Sequence, residues 1–238
     1  MDNIIATIGS KFLVSCDFWK MLILTANGKF LYNYSIDAYL AKPLRNSRIA
    51  YIITAALKMD ETGEIEKARL WDHIRRYKEK MDELQYDYTE LDIAGLSPEE
   101  LKATLGMYDI ILVEWGNPFY LLKIVRETGF QKTMEELMKQ WVVYIGKSAG
   151  SYIACPSLQV STWSTLTFDK FGITDLTAMS RVPFFVKAHY TPEMHDKLMT
   201  QAQALPAPLY ALDNDQALVV DGEKVELIGG GDEVIFGK

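Results

Sequence analysis

The sequence predicts an α/β fold, with a doubly wound, mostly parallel sheet flanked by helices and β-hairpins near the C-terminus. Short, continuous apolar runs recur up to residue 155, as expected of strands that are covered on both faces. Helical segments separate these runs, and a strand–helix–strand order implies right-handed crossovers and parallel pairing. After residue 209 the apolar runs follow one another without helices between them, which is typical of hairpins.

The strands and helices of the first half follow from this alternation. The predicted strands are residues 21–25, 48–55, 86–93, 109–113 and 142–145. The predicted helices lie near residues 36–40, 64–84, 120–126 and 133–140, with two more that begin at Ser97 and Ser151. Ser97 starts its helix because a capping serine precedes Pro98 and two acidic residues, which complement the helix dipole. Residues 64–84 place apolar positions at helical spacing among dense charge and indicate a surface helix, on which His73 is a solvated side chain.

The C-terminal third has a different pattern. An apolar run, residues 183–190, ends in His189, and a helix follows from Thr191 to about residue 205. Residues 229–231 are three glycines, which we interpret as a hairpin turn instead of a phosphate cradle because no helix follows them. The predicted strands are residues 209–213, 217–220, 224–228 and 233–236.

Length and composition indicate one soluble domain over residues 1–238. The 238 residues can enclose a large core, no Pro/Gly/Ser-rich linker divides them, and 49% hydrophobic and 24% charged residues are typical of globular proteins. Residues 1–20 form an N-terminal extension of unclear role, with a strand around residues 4–8. They do not resemble a signal peptide, and no apolar run reaches the roughly 18 residues of a membrane span, so we expect a cytoplasmic protein without a membrane partner.

Charge and cysteine content exclude several classes of function. A net charge of −7 argues against a general nucleic-acid binder. Cys16 and Cys155 are too few for a disulfide framework, which fits a reducing compartment. No cluster of His, Cys and carboxylates has metal-ligand spacing, so we predict neither a metal nor another cofactor.

The segment from Val142 to Ser157 contains the clearest functional motif. It combines a buried strand, the turn Gly146–Lys147–Ser148–Ala149–Gly150 and the start of a helix, which is the G-x-S-x-G arrangement that exposes a nucleophilic serine. The turn also presents free helix-start N–H groups to an oxyanion. Ser148 is therefore the candidate nucleophile, although a Gly-rich turn without catalytic function has the same local pattern.

His189 is the candidate general base for Ser148. A serine hydroxyl needs an imidazole to accept its proton, and His189 ends an apolar run 41 positions later. A structural histidine at a strand end is the alternative. An ordinary α/β-hydrolase esterase would place several βα units between the two residues, whereas 41 residues hold barely one.

Four separated motifs resemble the peptidase E and cyanophycinase family of serine hydrolases. They are GKSAGSYIACPS, LVEWGNPFYLLKIVRETGF, HYTP and ALDNDQALVVDG, and the likeness runs from about Met21 to the C-terminus. The resemblance implies a class I glutamine amidotransferase-like fold, with Ser148 as nucleophile and His189 as base. It further implies an oxyanion and substrate-binding region formed by the N–H of Ala149 and the loop Trp115–Gly116–Asn117.

The same resemblance implies hydrolysis of small peptides through an acyl-enzyme, as in a dipeptidase. The chain departs from the family pattern at Glu114–Trp115, where a Gly-Gly pair is usual, and at Asn214, where an acidic residue is usual. Asp213, beside Asn214, is our choice for the third catalytic residue, with Asp169 and Asp175 as alternatives. A catalytically impaired or repurposed binding protein on the same fold is therefore the alternative function, and the sequence leaves open whether the chain is a monomer or a homodimer.

Overall fold

The computed structural model describes residues 21–33, 36–58, 64–164 and 169–237. Cys16 and the strand predicted around residues 4–8 lie outside this part. The helices are α1 Phe30–Asn33, α2 Glu64–Glu83, α3 Pro98–Leu105, α4 Pro118–Thr128, α5 Phe130–Met138, α6 Ala149–Ala154 and α7 His195–Ala202. The strands are β1 Leu22–Thr25, β2 Arg48–Ile52, β3 Asp87–Leu91, β4 Ile110–Val113, β5 Val143–Lys147, β6 Phe185–Ala188, β7 Leu209–Leu212, β8 Ala217–Asp221, β9 Lys224–Ile228 and β10 Val234–Phe236.

Two sheets organise these elements. The larger sheet has seven strands in the order β3-β2-β4-β5-β1-β8-β9, and the smaller has three in the order β10-β7-β6. Strands β1 to β5 pair in parallel, whereas β8 and β9 are antiparallel additions next to β1. The predicted mostly parallel α/β fold is thus confirmed.

Helices cover both faces of the large sheet. Leu31 of α1 and Ile74, Tyr77 and Met81 of α2 pack on one face. The other face contacts α3 to α6, and the smaller sheet continues the same apolar cluster. Burial on both faces explains why the central strands are continuous apolar runs instead of alternating patterns.

Local signals set several helix boundaries. Ser97 caps α3 in a capping box with Glu100, and Pro98 occupies the first turn, as predicted. Asn117 caps α4 by accepting hydrogen bonds from the N–H groups of Phe119 and Tyr120. Helix α4 therefore begins at Pro118, two residues before the predicted start.

Two local predictions were wrong, and one helix was not predicted. Residues 37–39 form a single 3₁₀ turn where a helix was predicted, and the preceding helix α1 was not predicted. Residues 229–231 do not close a hairpin, because β9 belongs to the large sheet and β10 to the small one. Hairpin pairing depends on which sheet receives the next strand, which the local glycine pattern does not encode.

None of the helices in the described part is long and apolar enough to cross a membrane. Within the same residues, no group of three or more His, Cys, Asp and Glu side chains could hold a metal ion.

Candidate active site

The candidate active site lies at the carboxyl edge of the parallel strands. The loops after β1, β2, β4 and β5 meet there, and backbone hydrogen bonds join them. The N–H of Ser148 donates to the carbonyl of Thr25 at 2.8 Å, and the N–H of Asn117 donates to that of Ala55 at 2.9 Å. Ligands of open α/β sheets bind beyond this edge, so the fold brings the two predicted loops to one place.

Ser148 occupies a strained turn between β5 and α6. Its φ of 45° and ψ of −96° fall outside the ordinary regions for a residue with a side chain, and its exposed fraction is 9%. A Cβ atom on Gly146 would come within 2.6 Å of Gly150, and one on Gly150 within 2.5 Å of the Val113 carbonyl. Both glycines of the motif are therefore needed for this turn, as a nucleophile elbow requires.

His189 follows β6 at the same edge. The N–H of Ala188 donates to the Tyr152 hydroxyl at 3.2 Å, and the N–H of Tyr152 donates to the carbonyl of Ser148, so the end of β6 lies against the start of α6. His189 also has a positive φ of 60°. No hydrogen bond within the described residues joins Ser148 to the His189 ring. Catalytic hydrogen bonds are often long in unliganded enzymes and tighten with substrate.

Asn214 is the partner of the His189 ring. Its Oδ1 lies 2.7 Å from Nδ1 of His189. An amide oxygen can only accept, so this contact suits the tautomer that carries its proton on Nδ1 and leaves Nε2 as an acceptor. Reduced hydration lowers the pKa of His189 below its ordinary value, and the contact with Asn214 opposes part of that change. The neutral ring, the form that a general base requires, is therefore favoured.

Asp213 does not contact His189, and this prediction was wrong. Its carboxylate instead accepts the N–H of Asp215 at 2.7 Å, which forms a tight turn and directs Asn214 toward the ring. The two alternatives are also engaged elsewhere. Asp169 accepts the N–H of Phe171, and Asp175 pairs with Arg126.

In the loop after β4, the N–H of Gly116 is the candidate backbone donor. The N–H of Trp115 is occupied by Oε1 of Glu114 at 2.8 Å, and the side-chain oxygen of Asn117 caps α4. Oδ1 of Asn117 thus holds the start of α4, and the expected role of this residue in substrate binding stays a prediction. The N–H of Gly116 has no acceptor among the described residues, and the N–H of Ala149, the first residue of α6, has none within its own helix.

Glu114 and Lys147 form a buried ion pair that the sequence analysis missed. Lys147 Nζ lies 2.7 Å from Glu114 Oε2, and both side chains are fully buried. The Tyr51 hydroxyl also donates to Oε2. The sequence held a signal, since each charged residue stands at the carboxyl end of an otherwise apolar strand. Neither Glu114 nor Trp115 has a positive φ, so the loop tolerates both residues without backbone strain.

His73 and Trp115 pack against each other beside this edge of the sheet. Their rings meet edge to face with centroids 5.2 Å apart. His73 is half-buried, and burial lowers its pKa, so the expected solvated side chain was wrong. The helical pattern of α2 did not show that the residue packs on a loop from a distant part of the chain.

Gln216 is a second functional candidate that the sequence analysis missed. It is buried, and its Oε1 accepts the N–H of Asp213 at 3.2 Å. Its Nε2 donates to the carbonyls of Gly230 and Asp232, each at 3.1 Å. The side chain therefore links the turn that carries Asn214 to the segment between β9 and β10, which runs from the large sheet to the small one.

Sequence comparison places this chain in a known family. The sequence model of Peptidase family S51 matches residues 22–228. An uncharacterized peptidase of Listeria monocytogenes, Lmo0363, is 29% identical over 186 residues, which cover 76% of this chain and 86% of the relative. Peptidase E of Shigella flexneri is 32% identical over 124 residues, which cover 46% of this chain and 52% of that protein.

Two solved structures share the fold of this chain. The crystal structure of a Listeria monocytogenes EGD-e protein proposed to be a peptidase E superposes with a TM-score of 0.69 and 27% identity, covering 89% of this chain and 99% of that one. A peptidase from an acI-B1 Actinobacterium superposes with a TM-score of 0.54 at 17% identity, which supports the fold alone.

Proposed function

This chain belongs to peptidase family S51, and from that membership we propose that it hydrolyses small peptides as a serine peptidase of the peptidase E type. Ser148 is the nucleophile and His189 the general base in this proposal. The observation that carries it is the strained Ser148 turn, with φ of 45° and ψ of −96°, at the edge where the ring of His189 is held by Asn214. Backbone strain of this kind clusters at active sites.

The first half of the reaction forms an acyl-enzyme. Ser148 Oγ attacks the scissile carbonyl carbon, and its proton passes to Nε2 of His189. The oxygen of the tetrahedral intermediate accepts hydrogen bonds from the N–H groups of Gly116 and Ala149. When the intermediate collapses, the carbon–nitrogen bond breaks and the leaving amine takes the proton from His189.

The second half releases the acid product. Water loses a proton to His189 and attacks the ester carbonyl, and the proton returns to Ser148 Oγ as it leaves. Asn214 orients the ring through Nδ1 in both halves. Cysteine peptidases that use a Cys-His-Asn set show that an amide suffices for this orientation.

The substrate is a short peptide in a reducing cytoplasm. The half-buried Trp115 directly precedes Gly116 and packs edge to face on His73. In this proposal its indole limits the room beside the oxyanion donors, which favours dipeptides and other short chains over folded proteins. The relative named peptidase E supports a peptidase activity, and the preference for dipeptides is part of our proposal.

Labelling and hydrolysis test this proposal. We expect a fluorophosphonate probe to label the wild type, Ser148→Ala to abolish labelling, and His189→Ala to lower kcat on the best dipeptide by at least about 10³-fold. His195→Ala is the matched control, because that exposed ring contacts Tyr190 instead of the site. Labelling that persists in Ser148→Ala would refute the nucleophile assignment.

A binding protein on the same fold is the second candidate. It is favoured by one observation, the neutral Asn214 at the position of an acidic residue. This function predicts saturable binding of dipeptides by calorimetry, with no Ser148-dependent labelling and no cleavage of a dipeptide library. Cleavage that is lost in Ser148→Ala would eliminate it.

A further inference from the structure

Glu114 and Lys147 join the two chain segments that supply the proposed oxyanion donors. Strands β4 and β5 are parallel neighbours, with Val113 opposite Gly146. Glu114 directly follows β4 and lies two residues before Gly116, whereas Lys147 ends β5 and lies two residues before Ala149. A rigid link between the two side chains therefore restrains both donors.

The link is rigid because every polar group in it is engaged. Lys147 Nζ lies 2.7 Å from Glu114 Oε2 and 3.4 Å from the centre of the Tyr77 ring, a favourable cation–π distance. Oε2 also accepts the Tyr51 hydroxyl, and Oε1 accepts the N–H of Trp115 at 2.8 Å. Both charges are fully buried, so breaking these bonds would leave each charge without water or another partner. The two side chains therefore stay in place.

The hydrogen bond from the Trp115 N–H to Glu114 determines which backbone N–H of this loop stays available to a ligand. Because Glu114 occupies the N–H of Trp115, the next N–H along the loop, that of Gly116, is the one left for a ligand. Apolar side chains of similar volume would often stabilise a core as well as a buried ion pair does. The distinctive contribution of this pair is therefore the direction that its bonds impose on the loop.

We propose that the buried Glu114–Lys147 pair is a positioning clamp that holds the N–H groups of Gly116 and Ala149 in the geometry of one oxyanion hole. This inference rests on the proposed peptidase function. The clamp touches neither substrate nor Ser148 Oγ, so both side chains are positioning residues. Their effect is exerted through the backbone of the two loops.

The decisive variant is the double replacement Glu114→Met and Lys147→Met. It removes both charges together, so no unpaired charge is buried and the fold is retained, but the bond to Trp115 is lost. We expect kcat on the best dipeptide to fall by about 10²-fold, the cost of misplacing a reacting group by about 1 Å, while KM changes by less than about threefold. We also expect faster hydrogen exchange of the Trp115 amide, a readout that needs no turnover.

Two controls separate positioning from stability. Glu135→Gln breaks the half-buried ion pair with Arg181, outside the site, and should lower the melting temperature with kcat unchanged. Tyr51→Phe removes one bond to Glu114 but leaves the clamp, and should change kcat by less than about threefold. A folded double variant with wild-type kcat would overturn the clamp.

Failure of the clamp and failure of the proposed function give different results. If the wild type shows no Ser148-dependent cleavage, the peptidase function fails. The exchange measurement then tests only whether the pair restrains the loop: unchanged protection of the Trp115 amide in the double variant overturns the clamp, whereas lost protection shows a restrained loop and leaves the oxyanion-hole role overturned with the peptidase function.

Discussion

Asn214 places a neutral amide beside His189 where a carboxylate would favour the protonated ring. The amide orients the imidazole through Nδ1 at 2.7 Å, but it adds no negative charge. Reduced hydration then dominates and lowers the pKa of His189. The neutral ring, which accepts the serine proton in the proposed mechanism, therefore persists to lower pH than for an ordinary histidine.

We therefore expect the acid limb of kcat/KM to have its midpoint below about pH 6.5, the unperturbed histidine value. Replacing Asn214 with Asp adds a negative charge near Nδ1, favours the protonated ring and raises its pKa. The midpoint should move to higher pH by about 1 to 3 pH units. Steady-state kinetics from pH 4.5 to 9 measure the acid-limb midpoint in the wild type and in Asn214→Asp.

Asn214→Leu is the matched control for this prediction. It keeps the side-chain volume but removes the acceptor, so activity should fall at all pH values because the ring is no longer oriented. A midpoint that is the same in the wild type and in Asn214→Asp would contradict the assignment of His189 as the titrating base.

The loop between β4 and α4 has little freedom to vary. Gly116 has a φ of 151°, and a Cβ atom there would lie 2.2 Å from the carbonyl carbon of Ala55. The loop thus packs directly on the backbone that follows β2. Asn117 then caps α4, so the end of the loop is held by the helix start.

Replacing Gly116 with Ala should displace this loop and remove its oxyanion donor. We expect kcat to fall by about 10²- to 10³-fold, as for loss of one donor in other acyl-transfer enzymes, with a smaller change in KM. Gly222→Ala in the β8–β9 turn is the control: its φ is 59° but nothing lies within 4 Å of the added methyl group. It should lower stability by about 1–2 kcal/mol and leave kcat unchanged. Equal kinetic effects of the two variants would count against the loop assignment.

At the scale of the whole molecule, the site is assembled where two sheets meet. Ser148 follows a strand of the large sheet, whereas His189 follows a strand of the small one. Asn214 lies on the connection from β7 to β8, which passes from the small sheet to the large sheet. Gln216 secures that connection, and its own carbonyl accepts the Thr25 hydroxyl at 2.9 Å.

Gln216→Met should therefore affect stability and activity together. It keeps a similar volume but removes the hydrogen bonds of the Gln216 side chain to the N–H of Asp213 and to the carbonyls of Gly230 and Asp232, and the loss of a buried hydrogen-bond partner costs about 1–3 kcal/mol. The turn that carries Asn214 loosens, so kcat/KM should fall. Urea unfolding and steady-state kinetics measure the two effects.

Thr128→Val provides the comparison for Gln216. It removes a buried hydrogen bond to Ile124 within α4 and should lower stability without a change in kcat/KM. If both variants lose stability and neither loses activity, Gln216 does not couple the two sheets to the site.

The sequence alone determined the parallel sheet, the presence of most helices and the elbow. Each of these is encoded locally: apolar runs of four or five residues define β1, β4 and β5, Ser97 and Pro98 define the start of α3, and two glycines at fixed spacing around Ser148 define the turn. Such patterns need only neighbouring residues, because strand and helix periodicity and backbone sterics act over a few positions.

Only the tertiary structure decided which side chains meet. The turn at residues 213–215 directs Asn214 instead of Asp213 to His189, and a shift of one residue is invisible to composition. Glu114 and Lys147 stand 33 positions apart and become partners only because β4 and β5 pair in one register. Long-range contacts depend on where whole elements pack, and this packing determines which side chain faces the His189 ring and which loop N–H stays free for a ligand.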